Sequence, residues 1–348
     1  MQTIIRKVDE NCIDEMIMEE AGALLKEGAL VAFPTETVYG LGANALDSEA
    51  AAKIYAAKGR PSDNPLIVHI ADMDALPLIT AEIPEAAKKL AAKFWPGPLT
   101  MVMRKSDVVP YGTTGGLDTV AVRMPSHPIA LEMIRHGGGY IAAPSANTSG
   151  RPSPTLASHV ADDKNGIVPL ILDGGAVGIG IESTIVDLTD EIPTILRPGF
   201  ITKEMLQEVV GEVQIDKGLD ADSKTPPKAP GMKYRHYAPK AELMIVEGSS
   251  EAVVEKINAL VRENEEKGIC TGIIGTEETI SRYPAGIVKC MGTRNDELSI
   301  SSHLYGILRE FDESDAKVIY SESFEEGAMG SAIMNRLLKA AGHKIIHV

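Results

Sequence analysis

The sequence predicts an α/β protein in two parts: an N-terminal open, mixed, twisted sheet with helices, then a smaller doubly wound, Rossmann-like domain. Three observations carry this. Short strand-like runs and helical periodicity are interleaved over residues 1–211 without strict alternation. A Pro- and Gly-rich stretch at 212–240 breaks the pattern and reads as a linker. Residues 241–348 then return to regular strand–helix alternation. The chain of 348 residues has ample length for two domains.

Residues 13–27 carry apolar side chains at helical spacing, and Gly28 is a natural stop. ALVAFP (29–34) reads as a buried strand. Residues 47–59 form an Ala-rich helix capped by Asp47 and closed by Gly59. LIVHIA (66–71) is a strand, and 84–95 is a helix with Pro84 in its first turn. Strands follow at LTMVMRK (99–105), TVAVRMP (119–125), YIAAP (140–144), LILDGG (170–175), STIVDLT (183–189) and PTILRPG (193–199), with helices near 127–136 and at 201–211. After the linker come strands at 241–248, 271–276, 287–292, 317–322 and 344–348, and helices at 251–268, 301–316 and 330–342.

Composition narrows the function. The formal net charge is −15 and aromatics make up 4%, which disfavours a phosphate-backbone footprint and a base-stacking platform. The stretch 207–240 is locally basic, with six Lys/Arg against five Asp/Glu. Three scattered cysteines, Cys12, Cys270 and Cys290, build neither a zinc site nor a disulfide framework. No apolar run reaches membrane-spanning length, and the N-terminus lacks a signal-like apolar core, so a cytoplasmic protein is expected.

Nucleotide, metalloprotease and hydrolase signatures are missing. GAVGIG (175–180) is Gly-rich but leads into a strand, not a helix. What remains is a set of polar loops at strand ends: FPTETVYGLG (33–42), KGRPSDNP (58–65), TTGGLDTVAVRMP (113–125), APSANTSGRPSPT (143–155), GIESTIVDL (180–188) and ILRPG (195–199). Each alone reads as an ordinary turn, and His69 alone as a core histidine. Together they place four cations, Lys58, Arg60, Arg123 and Arg197, beside hydroxyl- and Gly-rich turns in an acidic domain. Backbone nests flanked by Lys or Arg suit a small, highly charged anion such as a nucleoside triphosphate.

FPTETVYGLG, KGRPSDNPLIVHI, PGPLT (96–100), APSANTSGRPSPT, ESTIVD and ILRPG together resemble the YrdC/YwlC family of threonylcarbamoyl-AMP synthases. PGMKYRHYAP (230–239), followed by a small α/β domain, resembles its long two-domain form. The resemblance implies a nucleotidyltransferase that converts L-threonine, bicarbonate or CO2, and ATP into threonylcarbamoyl-adenylate and pyrophosphate. That is the first step of threonylcarbamoyladenosine formation in tRNA. A downstream tRNA threonylcarbamoyl transferase completes the modification, so direct tRNA binding is not required.

By matching motifs, the resemblance assigns Thr37, His69, Arg123, Ala143 and Ser183 to threonine. It assigns Lys58, Arg60, Asn64, Thr119, Ser145, Ser153, Arg197 and His236 to ATP, with Lys58 and Arg60 as the catalytic cations. Mg2+ is expected to accompany ATP, with ligands unassigned. Tyr234, Arg235, His236 and Tyr237 are the candidate active-site lid, against the plainer reading of a passive tether. Two competing functions stand beside this one. An RNA-binding module without adenylate synthesis is disfavoured by the acidity of residues 1–206. A hydrogenase-maturation carbamoyltransferase is disfavoured by the lack of clustered cysteines.

Overall fold

Helix ends fall where the capping chemistry requires. Asp47 accepts the Glu49 N–H at 2.8 Å and starts the helix Ser48–Lys58, and Gly59, at φ 64°, ends it. Asp14, Thr202 and Ser249 cap the helices Glu15–Lys26, Lys203–Val210 and Ser250–Glu266 in the same way. Asp296 caps the helix Glu297–Asp312, which therefore begins four residues before the expected start at 301. Pro84 is the residue before the helix Glu85–Phe94 and not part of its first turn.

The computed structural model describes residues 2–216, 237–324 and 327–348. The chain divides into two compact units. The first comprises Met1–Ser149, Ser153–Gly178 and Glu182–Lys233, and the second Gly150–Pro152, Ile179–Ile181 and Tyr234–Val348.

The strands of the first unit are β1 (Ile4–Lys7), β2 (Val31–Phe33), β3 (Gly40–Asn44), β4 (Ile67–His69), β5 (Leu99–Arg104) and β6 (Thr119–Arg123). They continue with β7 (Ile141–Ala143), β8 (Leu170–Asp173), β9 (Thr184–Asp187), β10 (Thr194–Arg197) and β11 (Gln214–Ile215). Among the described residues these eleven form one mixed sheet in the order β1-β8-β2-β3-β7-β4-β6-β5-β9-β10-β11. β11 pairs in parallel with β10, so the sheet runs past residue 211, where the sequence reading starts the linker. The Pro/Gly content that marks the linker begins only beyond Ile215.

Strand alternation gives the sheet two faces. Val68, Met101, Met103, Val122, Ala142 and Val186 point into the main core, beneath the helices Ser48–Lys58, Glu85–Phe94, Ala157–Lys164 and Lys203–Val210. On the other face, Val31, Phe33, Ile141, Ala143, Leu170 and Leu172 are covered by the helices Glu15–Lys26 and Pro128–His136. Gly40 and Gly42 leave room there for Phe33, whose ring would lie 3.0 Å from a Cβ at either position. Further along that same face the apolar content shrinks to a patch of Ile67, Val102, Ala121, Ile185 and Leu196. The polar row described below lies on this second stretch.

The second unit has an all-parallel sheet of β12 (Glu242–Glu247), β13 (Thr271–Gly275), β14 (Ile287–Cys290), β15 (Val318–Glu322) and β16 (Ile345–His347), in the order β14-β13-β15-β12-β16. The helix Ser250–Glu266 buries Val253, Val254, Ile257 and Val261 against Val246, Ile273 and Tyr320. Regular crossovers between parallel strands are the doubly wound pattern expected from the sequence. No helix among the described residues is long and apolar enough to cross a membrane.

Candidate active site

Pairing register aligns the site. His69 of β4 pairs with Arg123 of β6, Arg123 with Thr100 of β5, Thr100 with Ile185 of β9, and Ile185 with Arg197 of β10. Directly opposed residues share a face, so these five residues form one row across the sheet. Ala143 of β7 opposes Ile67 on the same face. Thr119 lies at the other end of β6, two alternations from Arg123, and is half-buried.

Arg123 ties the row to the loop that carries Thr37. The Arg123 guanidinium, 4% exposed, donates from Nη1 to Thr37 Oγ1 at 2.9 Å. Thr37 and Thr35 share a hydrogen bond at 2.9 Å, and Thr35 also donates to the Val38 carbonyl at 2.7 Å. This turn fixes Thr37 where the FPTETVYGLG loop enters β3. Arg123 Nη2 lies 2.7 Å from Glu36 Oε1. Yet Arg123 Nε and Nη2 and both Glu36 oxygens are buried without an aligned hydrogen-bond partner. Buried polar capacity of this kind is costly unless a ligand uses it.

His69 is 4% exposed, and its Nδ1 lies 3.1 Å from the Ile67 carbonyl. Burial, and then the charge of Arg123, push its pKa down to about 3, so the ring is neutral at physiological pH. Its edge meets Phe33 at a 6.1 Å centroid separation. Further along the row, Thr100 and Ser183 hydroxyls are 2.8 Å apart. Arg197 grips Ser183 twice, from Nε to the carbonyl at 3.0 Å and from Nη2 to Oγ at 3.1 Å.

The second cluster surrounds the end of the helix Ser48–Lys58. Lys58, 2% exposed, donates to the Ser145 carbonyl, to the Asn147 carbonyl at 2.6 Å and to Asn147 Oδ1 at 3.2 Å. Ser145 Oγ also donates to Asn147 Oδ1, at 2.6 Å. All three ammonium protons thus find acceptors in the SANTSG loop, and Lys58 is a builder of that loop as well as a cation. Burial, then Arg60 and Lys164, hold its pKa well below the usual lysine range. Arg60, half-buried, donates to the Asn64 and Pro65 carbonyls at 3.3 and 3.2 Å. Asn64 is buried with its Oδ1 unpartnered. Ser153 is fully buried and donates to Glu182 Oε1 at 2.6 Å.

The structure therefore gathers His69, Arg123 and Arg197 into one row, with Thr37 bonded to Arg123, Ser183 bonded to Arg197, and Ala143 on the same face. It gathers Lys58 and Ser145 into a second cluster, and joins Arg60 to Asn64 within one turn. Glu182, next to Ser183 in the chain, holds Ser153 through its hydroxyl. Tyr234, Arg235 and His236 lie outside the described residues. Tyr237 is 5% exposed and packs on Tyr305 in the second unit at a 5.1 Å centroid separation.

Several participants escaped the sequence reading. Thr100 sits in a plain apolar strand, and only register places it beside Arg123. Glu36 and Asn147 lie in the singled-out loops without a distinguishing pattern. The helix Ala157–Lys164 supplies Asp163 and Lys164, which hold Thr148 through its N–H at 2.9 Å and its hydroxyl at 2.9 Å. Lys164 also donates to the Ala57 carbonyl at 2.8 Å, tying this loop to the Lys58 helix. Among the described residues no group of three or more His, Cys, Asp and Glu is gathered as a metal cage.

Comparisons with known proteins identify the family. Residues 23–199 match the family described as "Telomere recombination", and residues 201–342 match "Threonylcarbamoyl-AMP synthase, C-terminal domain". The chain is 51% identical to the threonylcarbamoyl-AMP synthase of Bacillus subtilis, over 97% of this chain and 96% of that one. It is equally identical to the Pyrococcus abyssi synthase, over 99% and 100%. The crystal structure of Pyrococcus abyssi Sua5 complexed with L-threonine superposes with a TM-score of 0.94 at 50% identity, covering 99% of this chain and 100% of that one. Fold and relatives define an α/β enzyme of the nucleotidyltransferase kind. The chain belongs to the threonylcarbamoyl-AMP synthase family, whose activity is the first step of threonylcarbamoyladenosine formation in tRNA.

Proposed function

We propose that the polar row of the first unit holds L-threonine and that the Lys58–Arg60 cluster holds the ATP phosphates. The carrying observation is the buried, unmatched hydrogen-bonding capacity of Arg123 on the row. Its Nε is buried without an aligned partner and its Nη2 meets only Glu36; a planar guanidinium with that spare capacity suits a carboxylate, and threonine supplies one. Thr37 and Ser183 offer hydroxyls for its polar groups, and neutral His69 packs beside them without adding charge. The Pyrococcus abyssi protein was crystallised with L-threonine, which supports the same ligand here.

The chemistry then needs positioning more than a protein nucleophile. The threonine nitrogen attacks CO2, free or released from bicarbonate, forms a C–N bond and loses a proton, giving a carbamate. A carbamate oxygen attacks the α-phosphorus of ATP. A P–O bond forms as the bond to the β-phosphate breaks, and pyrophosphate leaves with the electron pair. Arg60, Arg197 and Lys58 offset the charge on the phosphates, and an anion beside Lys58 favours its protonated form. Asn64, Thr119, Ser145 and Ser153 are assigned to the same nucleotide. Mg2+ is assigned to the triphosphate itself, because the described residues offer no carboxylate cage. We place the reaction in the cytoplasm, where ATP and the downstream tRNA threonylcarbamoyl transferase are expected.

Pyrophosphate release measured with each substrate omitted in turn tests this reading. Release should require L-threonine, bicarbonate and ATP together. Release from ATP alone would overturn the threonine-dependent reading, and salt-dependent tRNA binding without any release would favour an RNA-binding module.

A further inference from the structure

The second unit contains a polar crevice that adenylate chemistry in the first unit does not use. In its sheet, β12 and β15 are neighbours. The chain leaves β12 for β13 on one side and leaves β15 for β16 on the other. In parallel α/β sheets, ligands sit outside the carboxyl ends of strands where the winding direction reverses. Loops leaving four strands converge there on a cavity of about 300 Å³, lined by Glu247, Ser250, Glu278, Arg294 and Glu322 among others.

The lining is built. Glu322, 1% exposed, accepts Tyr283 Oη at 2.7 Å and the Thr279 hydroxyl on Oε1, and Arg294 Nη2 at 2.7 Å on Oε2. Arg294 Nη1 donates to the Ser323 carbonyl at 3.1 Å. These contacts fix a guanidinium that is one-third exposed and lines the cavity. Ser250, which lines the cavity, opens the helix Ser250–Glu266; Ser249 takes the Ala252 and Val253 amides there, and the positive end of the helix lies at this rim. Opposite in charge stand Glu278 and Glu247. Burial would raise the Glu278 pKa, but bonds from Thr293, Thr276 and backbone amides outweigh it and hold the group ionised, near 2. Glu247 is paired with His347 at 2.9 Å.

We propose that this crevice is a second binding site, for a free amino acid. A triphosphate would face three carboxylates with one arginine, and a simple cation would have no use for Arg294. A zwitterion uses both sides: its carboxylate meets Arg294 and the helix start, and its ammonium meets Glu278 and Glu247. The volume suits a molecule of that size.

The test is equilibrium binding of each of the twenty free L-amino acids to the full chain, with stoichiometry, alongside Ser250→Tyr and Arg294→Met. Ser250 is exposed on the first helical turn, so its variant fills the crevice without touching the core, even if Arg294→Met destabilises the buried Glu322. The expected result is at least one amino acid bound beyond the single L-threonine of the first unit, weakened tenfold or more in both variants. Its des-amino acid should bind at least tenfold more weakly than the amino acid. The proposal is overturned if no such extra equivalent is found, if Ser250→Tyr leaves it unchanged, or if ATP or inorganic phosphate occupies the crevice instead.

Discussion

The two units place their polar groups by different means. In the first, the row runs across a sheet face and its members are paired in register with neighbouring strands: His69 of β4 with Arg123 of β6, Arg123 with Thr100 of β5, and Arg197 of β10 with Ile185 of β9. In the second, the polar groups cluster at the carboxyl ends of parallel strands: Glu247 and Glu322 end β12 and β15, Ser250 opens a helix, and Glu278 and Arg294 lie on loops. A side chain inside a strand is held by register on both sides and packed from above and below. A change there disturbs fold and chemistry together. A loop side chain at a strand end is separable from the core that carries it. The first arrangement gives tighter preorganisation, and the second gives room for exchange.

The largest effect should come from Arg123→Ala. Removing one preorganised donor commonly costs about 10²–10³ in rate, and here it also strands Glu36 as a buried charge, at about 3–5 kcal/mol of stability. Adenylate formation should fall at least to that extent and the melting temperature should drop, with Arg123→Lys intermediate. If Arg123→Ala kept both rate and stability, the row would not be a working surface.

Lys58→Met should come next. The sequence reading gives Lys58 to the phosphates alone, whereas the structure spends its three protons on the Ser145 and Asn147 acceptors. Each buried acceptor left unmatched costs about 1–3 kcal/mol, so the variant should lose stability as well as ATP affinity. A rise in KM for ATP with an unchanged melting temperature would show that the loop does not depend on the lysine.

A smaller, pH-dependent effect belongs to His69. Its folded pKa is near 3 against an ordinary 6.5, so the unfolded chain binds more protons between those values. Stability should therefore be fully present above about pH 6.5 and decline as the pH falls toward 3. His69→Gln should flatten that acid limb in urea titrations taken at several pH values. An equally steep limb in the variant would assign the loss to other groups.

The smallest effect should come from Asp47→Ala, which removes the cap of the helix ending in Lys58. It should cost about 1 kcal/mol and leave the adenylation rate near that of the parent in a pyrophosphate assay. A large loss of rate would mean that the placement of Lys58 is set from the far end of its helix and not by the SANTSG loop.

The fold was legible in the sequence where local chemistry decides it. Asp47 and Gly59 bracket a helix through capping and a positive φ, and both act within a few residues. Alternation put His69 on the same face as Ile67 and away from Val68, and the structure keeps Ile67 in the site-side patch and Val68 in the main core. Less legible were β1 and the helix Ala157–Lys164. The first is an exposed edge strand, and the second begins without a side-chain cap.

The sequence by itself determined the two α/β parts, the loops that carry the site residues and the family to which they belong, because these depend on residue type and short spacing. Only the tertiary structure decided that Thr100 joins Arg123, that Glu36 faces it, and that Lys58 is bound into the loop it was expected to serve. Those relations depend on strand order and register, which set residues far apart in the chain side by side. The KGRPSDNPLIVHI segment shows both limits: its turn and strand follow from its own residues, while the partners of Lys58 lie 87 and 89 residues away at Ser145 and Asn147, and His69 pairs across the sheet with Arg123.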